Sequence, residues 1–287
     1  MKKNLLLLTL VFSSLFAGAQ NTILWKVSDT INNKTSYIVG TFHQFGNSFV
    51  DSIPQIQEAI LKSDLAIFES IDDADSTREI IDARDATNAI DKNFNKRDLQ
   101  KLQAITTNWK VDIYKLQPIE LRWKLQQEFQ KIICETVKPT DTWDHFDNYL
   151  LHIAKAHNIS VLGLETDSLQ LKLISKENKN PNWKQERKVI SELIDLLTLK
   201  NPSVDYCALA KKYRKFELDY GFNEPCDESI LIKERNENWL AVLPELLKTN
   251  NCFIAVGYAH LRNSCGLLEQ LKQQGFLVES VMLTSRD

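Results

Sequence analysis

Ile38-Val39-Gly40-Thr41-Phe42-His43 and Ala255-Val256-Gly257-Tyr258-Ala259-His260 share one pattern. Each is an apolar run, long enough for a buried strand, that ends in Gly-x-x-His. Each is followed by a short loop, a helical stretch and a second strand. Those second strands end in Glu69-Ser70 and Glu279-Ser280, and the first copy carries a seven-residue insertion. Two copies are too few for a solenoid. They predict two strand–loop–helix–strand units that face each other across one site.

The rest of the chain reads outward from these units. Thr22 to Val27 and Ser36 to Val39 are predicted strands, joined by a polar turn from Asp29 to Lys34. A helix is expected over Ile53 to Ser63, with Ser52 as cap and Pro54 in its first turn. Leu65 to Phe68 and Ser160 to Leu164 read as short strands. The helix that joins Leu65 to Phe68 to the strand ending at Gly40 is expected to set those two strands side by side, with Glu69 at the same edge as His43. Thr77 to about Ile133 is mostly helical in spacing, and Trp143 to His157 reads as a further helix. Pro181 to Lys200 puts Val189, Ile190, Leu193, Ile194 and Leu197 on one helical face. Helices are expected over Tyr206 to Leu218, Ser229 to Leu247 and Gly266 to Gln274. Strands are expected over Cys252 to Val256 and Phe276 to Met282. The prediction is an α/β fold: a mixed sheet core built from the two units, with a large, mainly helical insertion.

The first residues belong to another function. Lys2 and Lys3 precede the apolar run from Leu5 to Phe16, and Ala17-Gly18-Ala19 is a small-residue cleavage pattern. This reads as a secretory signal peptide over 1–19, which assigns residues 20–287 to a single domain. The mature chain is then expected to be exported, periplasmic or secreted, with no stable membrane span. The whole chain has a formal net charge of -3, which offers no electrostatic case for nucleic acid. With export, the five cysteines can form disulfides, and their odd number leaves at least one thiol free. Cys207 with Cys226 is the expected pair, from sequence proximity, and Cys134 is expected to be an isolated buried thiol.

The chemistry is expected at strand ends. His43 and His260 fall just past two strands, and Glu69 and Glu165 end two others. Ligands of α/β sheets collect outside the carboxyl ends of the strands. Two imidazoles and two carboxylates there suit a divalent cation, or a cation with a general base. Each residue also has a structural reading, as a local hydrogen-bond partner or helix cap. His145, His152 and His157 are read as ordinary helix residues. There is no His-Glu-x-x-His, Gly-x-Ser-x-Gly, Walker A or Gly-x-Gly-x-x-Gly.

The paired Gly-x-x-His segments, Gly163-Leu164-Glu165-Thr166 and Arg235-Asn236 together resemble the TraB/GumN family, to which the animal TIKI proteases are similar. The likeness runs from about Leu24 to Val281. It implies one cleft lined by both Gly-x-x-His units and, in TIKI-like members, metal-dependent peptide hydrolysis. Carried onto this chain, it implies His43 and His260 as metal ligands and Glu69 as ligand or base. It makes Glu165 a second carboxylate of the site or its support. Arg235 is implied as a holder of a substrate carboxylate or oxyanion; its local reading is a surface ion pair beside Glu234 and Glu237. The expected function is an exported hydrolase that uses a divalent metal ion (Mn, Co or Zn) on a peptide or small-molecule substrate. The alternatives are a non-catalytic binding protein for a metal, haem or small ligand, and an esterase resembling the erythromycin esterases.

Overall fold

The computed structural model describes residues 22–73, 75–178, 182–199 and 206–284. The predicted signal peptide lies outside them. Six strands form the sheet: β1 (Leu24–Asp29), β2 (Lys34–Thr41), β3 (Leu65–Phe68), β4 (Ser160–Gly163), β5 (Cys252–Gly257) and β6 (Leu277–Ser280). Their order is β4-β3-β5-β2-β1-β6. β5 is parallel to both β2 and β3, and β3 is parallel to β4. β1 runs antiparallel to β2 and β6. The fold is therefore α/β with a mixed sheet, as the repeated units predict.

β5 is the most apolar strand, and every residue of it is buried. That burial explains its central place. It also corrects one expectation. The helix between β2 and β3 was expected to bring those strands side by side, whereas β5 lies between them. The carboxyl ends of β2, β3, β4 and β5 still share one edge, because Thr41 pairs with Gly257 and Phe68 with Ala255 and Gly163. The second unit closes differently from the first. Its β6 joins the far edge beside β1, where Glu279 pairs with Lys26 at 3.5 Å on the surface. Only the first unit thus delivers its glutamate to the shared edge.

Helices α1 (Asn47–Asp51) and α2 (Pro54–Leu61) join β2 to β3. Between β3 and β4 come α3 (Ser76–Asp82), α4 (Ala89–Asn93), α5 (Lys96–Thr106), α6 (Pro118–Ile132) and α7 (Phe146–Ala156). Between β4 and β5 come α8 (Asp167–Glu177), α9 (Trp183–Leu199), α10 (Ala208–Arg214), α11 (Lys233–Leu240) and α12 (Leu243–Thr249). The last helix, α13 (Leu267–Gln273), precedes β6. α6 starts at a capping box, in which the Glu120 carboxylate accepts from the Gln117 N–H at 2.8 Å. The helix expected over Ser229 to Leu247 is two helices. Pro244 lacks an N–H and would clash with the carbonyl of Leu240, so α12 starts afresh with Pro244 in its first turn.

Two apolar clusters result. One packs on the sheet and holds Trp25, Ile38, Phe68, Phe146 and Phe253. The other lies within the helical insertion, where Ile90, Leu121, Leu125, Ile190 and Ile194 meet. The cysteines bind the helical parts, in a pairing the sequence reading missed. Cys134 pairs with Cys207 and Cys226 with Cys265, while Cys252 keeps a buried free thiol. The expected Cys207–Cys226 bridge does not form, and Cys134 is not a lone thiol. The partners are 73 and 39 residues apart, so proximity along the chain was the wrong guide. Two disulfides fit an oxidising compartment. No helix among the described residues is long and apolar enough to cross a membrane. Replacing Cys134 and Cys207 by serine is expected to cost about 2–4 kcal/mol, because the bridge closes a long loop of the unfolded chain. A urea titration that returns wild-type stability would contradict this.

Candidate active site

The backbone ladder between β3 and β4 continues past both strands. Leu164 donates its N–H to the Phe68 carbonyl and Glu165 to the Glu69 carbonyl, each at 2.9 Å. This places the two carboxylates side by side. Arg235, from α11, reaches between them. Its Nε lies 2.9 and 3.1 Å from the two Glu165 oxygens, and its Nη2 bonds Glu165 Oε1 and Glu69 Oε2. The Arg235 side chain is 11% exposed and that of Glu165 only 3%, so the surface-pair reading of Arg235 is excluded. Its neighbour Glu234 does take a surface partner, Lys176, at 2.7 Å.

His260 completes this network. Asn236 Oδ1 lies 2.8 Å from His260 Nδ1, and Arg235 Nη1 lies 3.0 Å from Nε2. An arginine can only donate, so Nε2 accepts and Nδ1 carries the proton. The ring packs on Trp239 with centroids 4.4 Å apart. Burial lowers the His260 pKa to about 3, against the pull of Glu69 and with help from Arg235, so the ring is neutral. Burial works to raise the Glu69 pKa, but the charges of Arg235 and His43 override it and hold the carboxyl below its usual range.

His43 approaches from the end of β2. Its carbonyl accepts the Phe146 N–H at 2.9 Å, which docks the start of α7 against it. Asp147 then lies with Oδ2 2.6 Å from His43 Nδ1, and its Oδ1 accepts from the Thr41 hydroxyl at 2.7 Å. The ionised Asp147 only accepts, so His43 Nδ1 donates and Nε2 is left to the cleft. Burial works against a charged His43 ring, but Asp147, with Glu69 behind it, lifts its pKa to about 9. The cleft face matters here, since 40% of the His43 side chain remains exposed.

Gly257 is where the two groups meet. A Cβ at Gly257 would stand 3.3 Å from Glu69 Oε1, 3.5 Å from His43 Nε2 and 3.6 Å from His260 Cδ2. The Gly257 N–H also donates to Glu69 Oε1 at 2.7 Å. Three functional side chains thus converge on Gly257, and Glu69 is the one that a side chain there would crowd. The five residues expected at the site, His43, Glu69, Glu165, Arg235 and His260, all lie at this sheet edge. Their partners differ from the expectation: Glu69 and His260 are bonded to Arg235 and do not stand open beside His43.

The sequence reading passed over His145. It does not lie inside a helix. Its extended backbone, with φ -141° and ψ 119°, makes the expected helix start later, at Phe146, and leaves the ring stacked on His43, centroids 5.3 Å apart. Burial lowers its pKa to about 4, which keeps it neutral. Its Nδ1 is buried without a hydrogen-bond partner, 3.8 Å from Asp147 Oδ2. One ligand atom each from His43, His145 and Asp147 lies within 4.8 Å of the others, so this group can hold a metal ion. The donor set of imidazole and carboxylate fits a divalent transition metal, and the orphaned nitrogen is the atom that such an ion would satisfy. His145-x-Asp147 was the available sequence signal.

His43, Glu69, His145, Asp147 and Arg235 line a cavity of about 550 Å³ between the sheet edge and the helical insertion, and Glu165 and His260 lie behind Arg235, outside its lining. Its walls include Glu69, Asp72, Asp147 and Arg235 from the sheet side and Arg78, Trp123 and Lys124 from the insertion.

The sequence model of the TraB/PrgY/gumN family matches residues 23–280, nearly the whole chain. The chain belongs to the TraB/PrgY/gumN family. No curated protein and no solved structure matches it. In this member of the TraB/PrgY/gumN family the first Gly-x-x-His segment ends at the cleft in His43, and the second ends in His260, buried behind the cleft-lining Arg235. His145→Ala is expected to weaken Mn²⁺ binding by about 10-fold or more, the scale seen when the support of a metal site is removed. Calorimetric titration checks this, and wild-type affinity in the variant would remove His145 from the site.

Proposed function

We propose that this exported member of the TraB/PrgY/gumN family is a metal-dependent hydrolase acting on peptides. The observation that carries the reading is the unpartnered His145 Nδ1 beside His43 and Asp147, at the floor of a cleft that also holds Glu69 and Arg235. His43, His145 and Asp147 would hold the ion. When bound there, a divalent cation supplies a Lewis acid for the scissile carbonyl and an acidified water.

The other groups have separate tasks. With the His43 ring neutral, as a ligand must be, three carboxylates, Glu69, Glu165 and Asp147, face one guanidinium, which leaves negative charge for a cation to balance. Glu69 is ionised throughout the neutral range and accepts the proton of the attacking water. A carboxylate this acidic is a weak base, so the water must already be acidified for the transfer to proceed. Arg235 is the nearest fixed positive charge for an oxyanion or a substrate carboxylate. Glu165 and His260 position it: Glu165 through Nε and Nη2, His260 through Nη1. His260 serves here as a positioning residue, its Nε2 already occupied by Arg235.

The test is turnover of a fluorogenic peptide library by the purified mature chain, with and without chelator, and after Mn²⁺, Co²⁺ or Zn²⁺ is returned. Cleavage that stops with chelator and resumes with metal is expected. Metal binding with no turnover of any peptide would instead mark the cleft as a binding site.

A further inference from the structure

A second cavity, of about 520 Å³, adjoins the first. Trp123 and Gln127 line both. Phe42 and Gln44, which bracket His43 in the chain, line the second, while His43 itself lines the first. The second cavity therefore begins where the metal-binding cluster ends.

Two helices build its walls with matched spacing. α6 contributes Trp123, Gln126, Gln127 and Gln130, at i, i+3, i+4 and i+7, with Phe129 beside them. α9 contributes Val189, Glu192, Leu193 and Leu196 at the same spacing. Such positions lie on one helical face. The composition contrasts with the first cavity. Among the described residues Glu192 is its one charged lining residue, whereas carboxylates, Arg78, Lys124 and Arg235 line the first. The remaining walls are apolar, aromatic or carboxamide. Gln130 Oε1 is buried and has no hydrogen-bond partner. A buried acceptor left unmade is costly, and a ligand N–H is the group that would satisfy it.

We propose that this cavity is the subsite for an uncharged stretch of the peptide next to the bond at the His43 cluster. Apolar or aromatic side chains of the substrate pack against Phe42, Trp123 and Leu196. A peptide N–H donates to Gln130 Oε1, and the other carboxamides pair with peptide groups, since each can both donate and accept. An acidic side chain there meets Glu192 and loses its hydration without a counter-charge; a lysine also loses hydration but keeps Glu192 as a counter-charge, so it is disfavoured less. The subsite makes the cleft selective for the residue beside the reacting bond. This rests on the peptide-hydrolase reading, and it is testable apart from catalysis.

The probe is a positional set of fluorescein-labelled octapeptides, and the readout is anisotropy with the full-length mature Glu69→Gln chain, so that cleavage does not intervene. Peptides with leucine or phenylalanine at one position are expected to bind about tenfold or more tighter than those with aspartate there, the value of burying one large apolar side chain, with lysine between the two. Adding Gln130→Leu should weaken the preferred peptides by about 3- to 10-fold. Adding Leu196→Trp fills the cavity and should abolish the preference; if it does not fold, Gln44→Trp blocks the same space from the loop. Equal affinity across the set, or folded blocking variants that keep the preference, would overturn the subsite. Selective binding without turnover by the wild type would sink the hydrolase and leave the subsite standing. Turnover without selectivity would do the reverse.

Discussion

In Arg235→Met the site keeps two closely buried carboxylates, Glu69 and Glu165, and loses the cation between them. The fold is expected to lose about 3–5 kcal/mol, the usual result of breaking a buried ion pair from one side. Both carboxylates lie at the edge of the central sheet, so the loss cannot be relieved by turning them to solvent. His260 also loses the donor to its Nε2. The combined variant Arg235→Met, Glu69→Gln, Glu165→Gln removes the stranded charges and should recover much of the stability while remaining inactive. Urea denaturation measures both. Stability within 1 kcal/mol of wild type for Arg235→Met, on the scale of a surface ion pair, would show that the triad is not a buried network.

Glu69→Gln is the larger test of chemistry. It keeps the size and the acceptor for the Gly257 N–H but removes the charge that receives the proton. Turnover is expected to fall by about 10²–10⁴-fold, with metal affinity nearly kept because His43, His145 and Asp147 are intact. Glu165→Gln is the comparison. It touches Arg235 but not the face of Gly257, so its effect should be smaller and should come through the position of the guanidinium. Equal losses in both variants would assign the carboxylates to the support of Arg235 alone.

The parts of the fold that local pattern controls were legible. Leu65–Phe68 is a strand because four apolar residues sit between polar ends, and the Gly-x-x-His ends of β2 and β5 announce close approach. What chain-local reading could not give was pairing. β5 enters between β2 and β3 from nearly 200 residues further along the sequence. The two disulfides join segments that periodicity treats as unrelated. The site divides in the same way. His43, Glu69, Glu165 and His260 stand at strand ends and could be found there. Arg235 lay on a helix whose surface and buried faces look alike in charge, so its role needed the structure. His145 and Asp147 are brought to His43 by one backbone hydrogen bond from Phe146, more than 100 residues distant, and no spacing rule foretells it.

The cation at the His43 cluster is the claim on which the chemistry depends. Anomalous diffraction at the manganese edge, from crystals of the mature protein soaked in Mn²⁺, tests it directly. The account predicts a single strong peak within coordinating distance of His43, His145 and Asp147. A peak at His260 and Glu69 with Arg235 displaced, or no peak in the cleft at all, would contradict it.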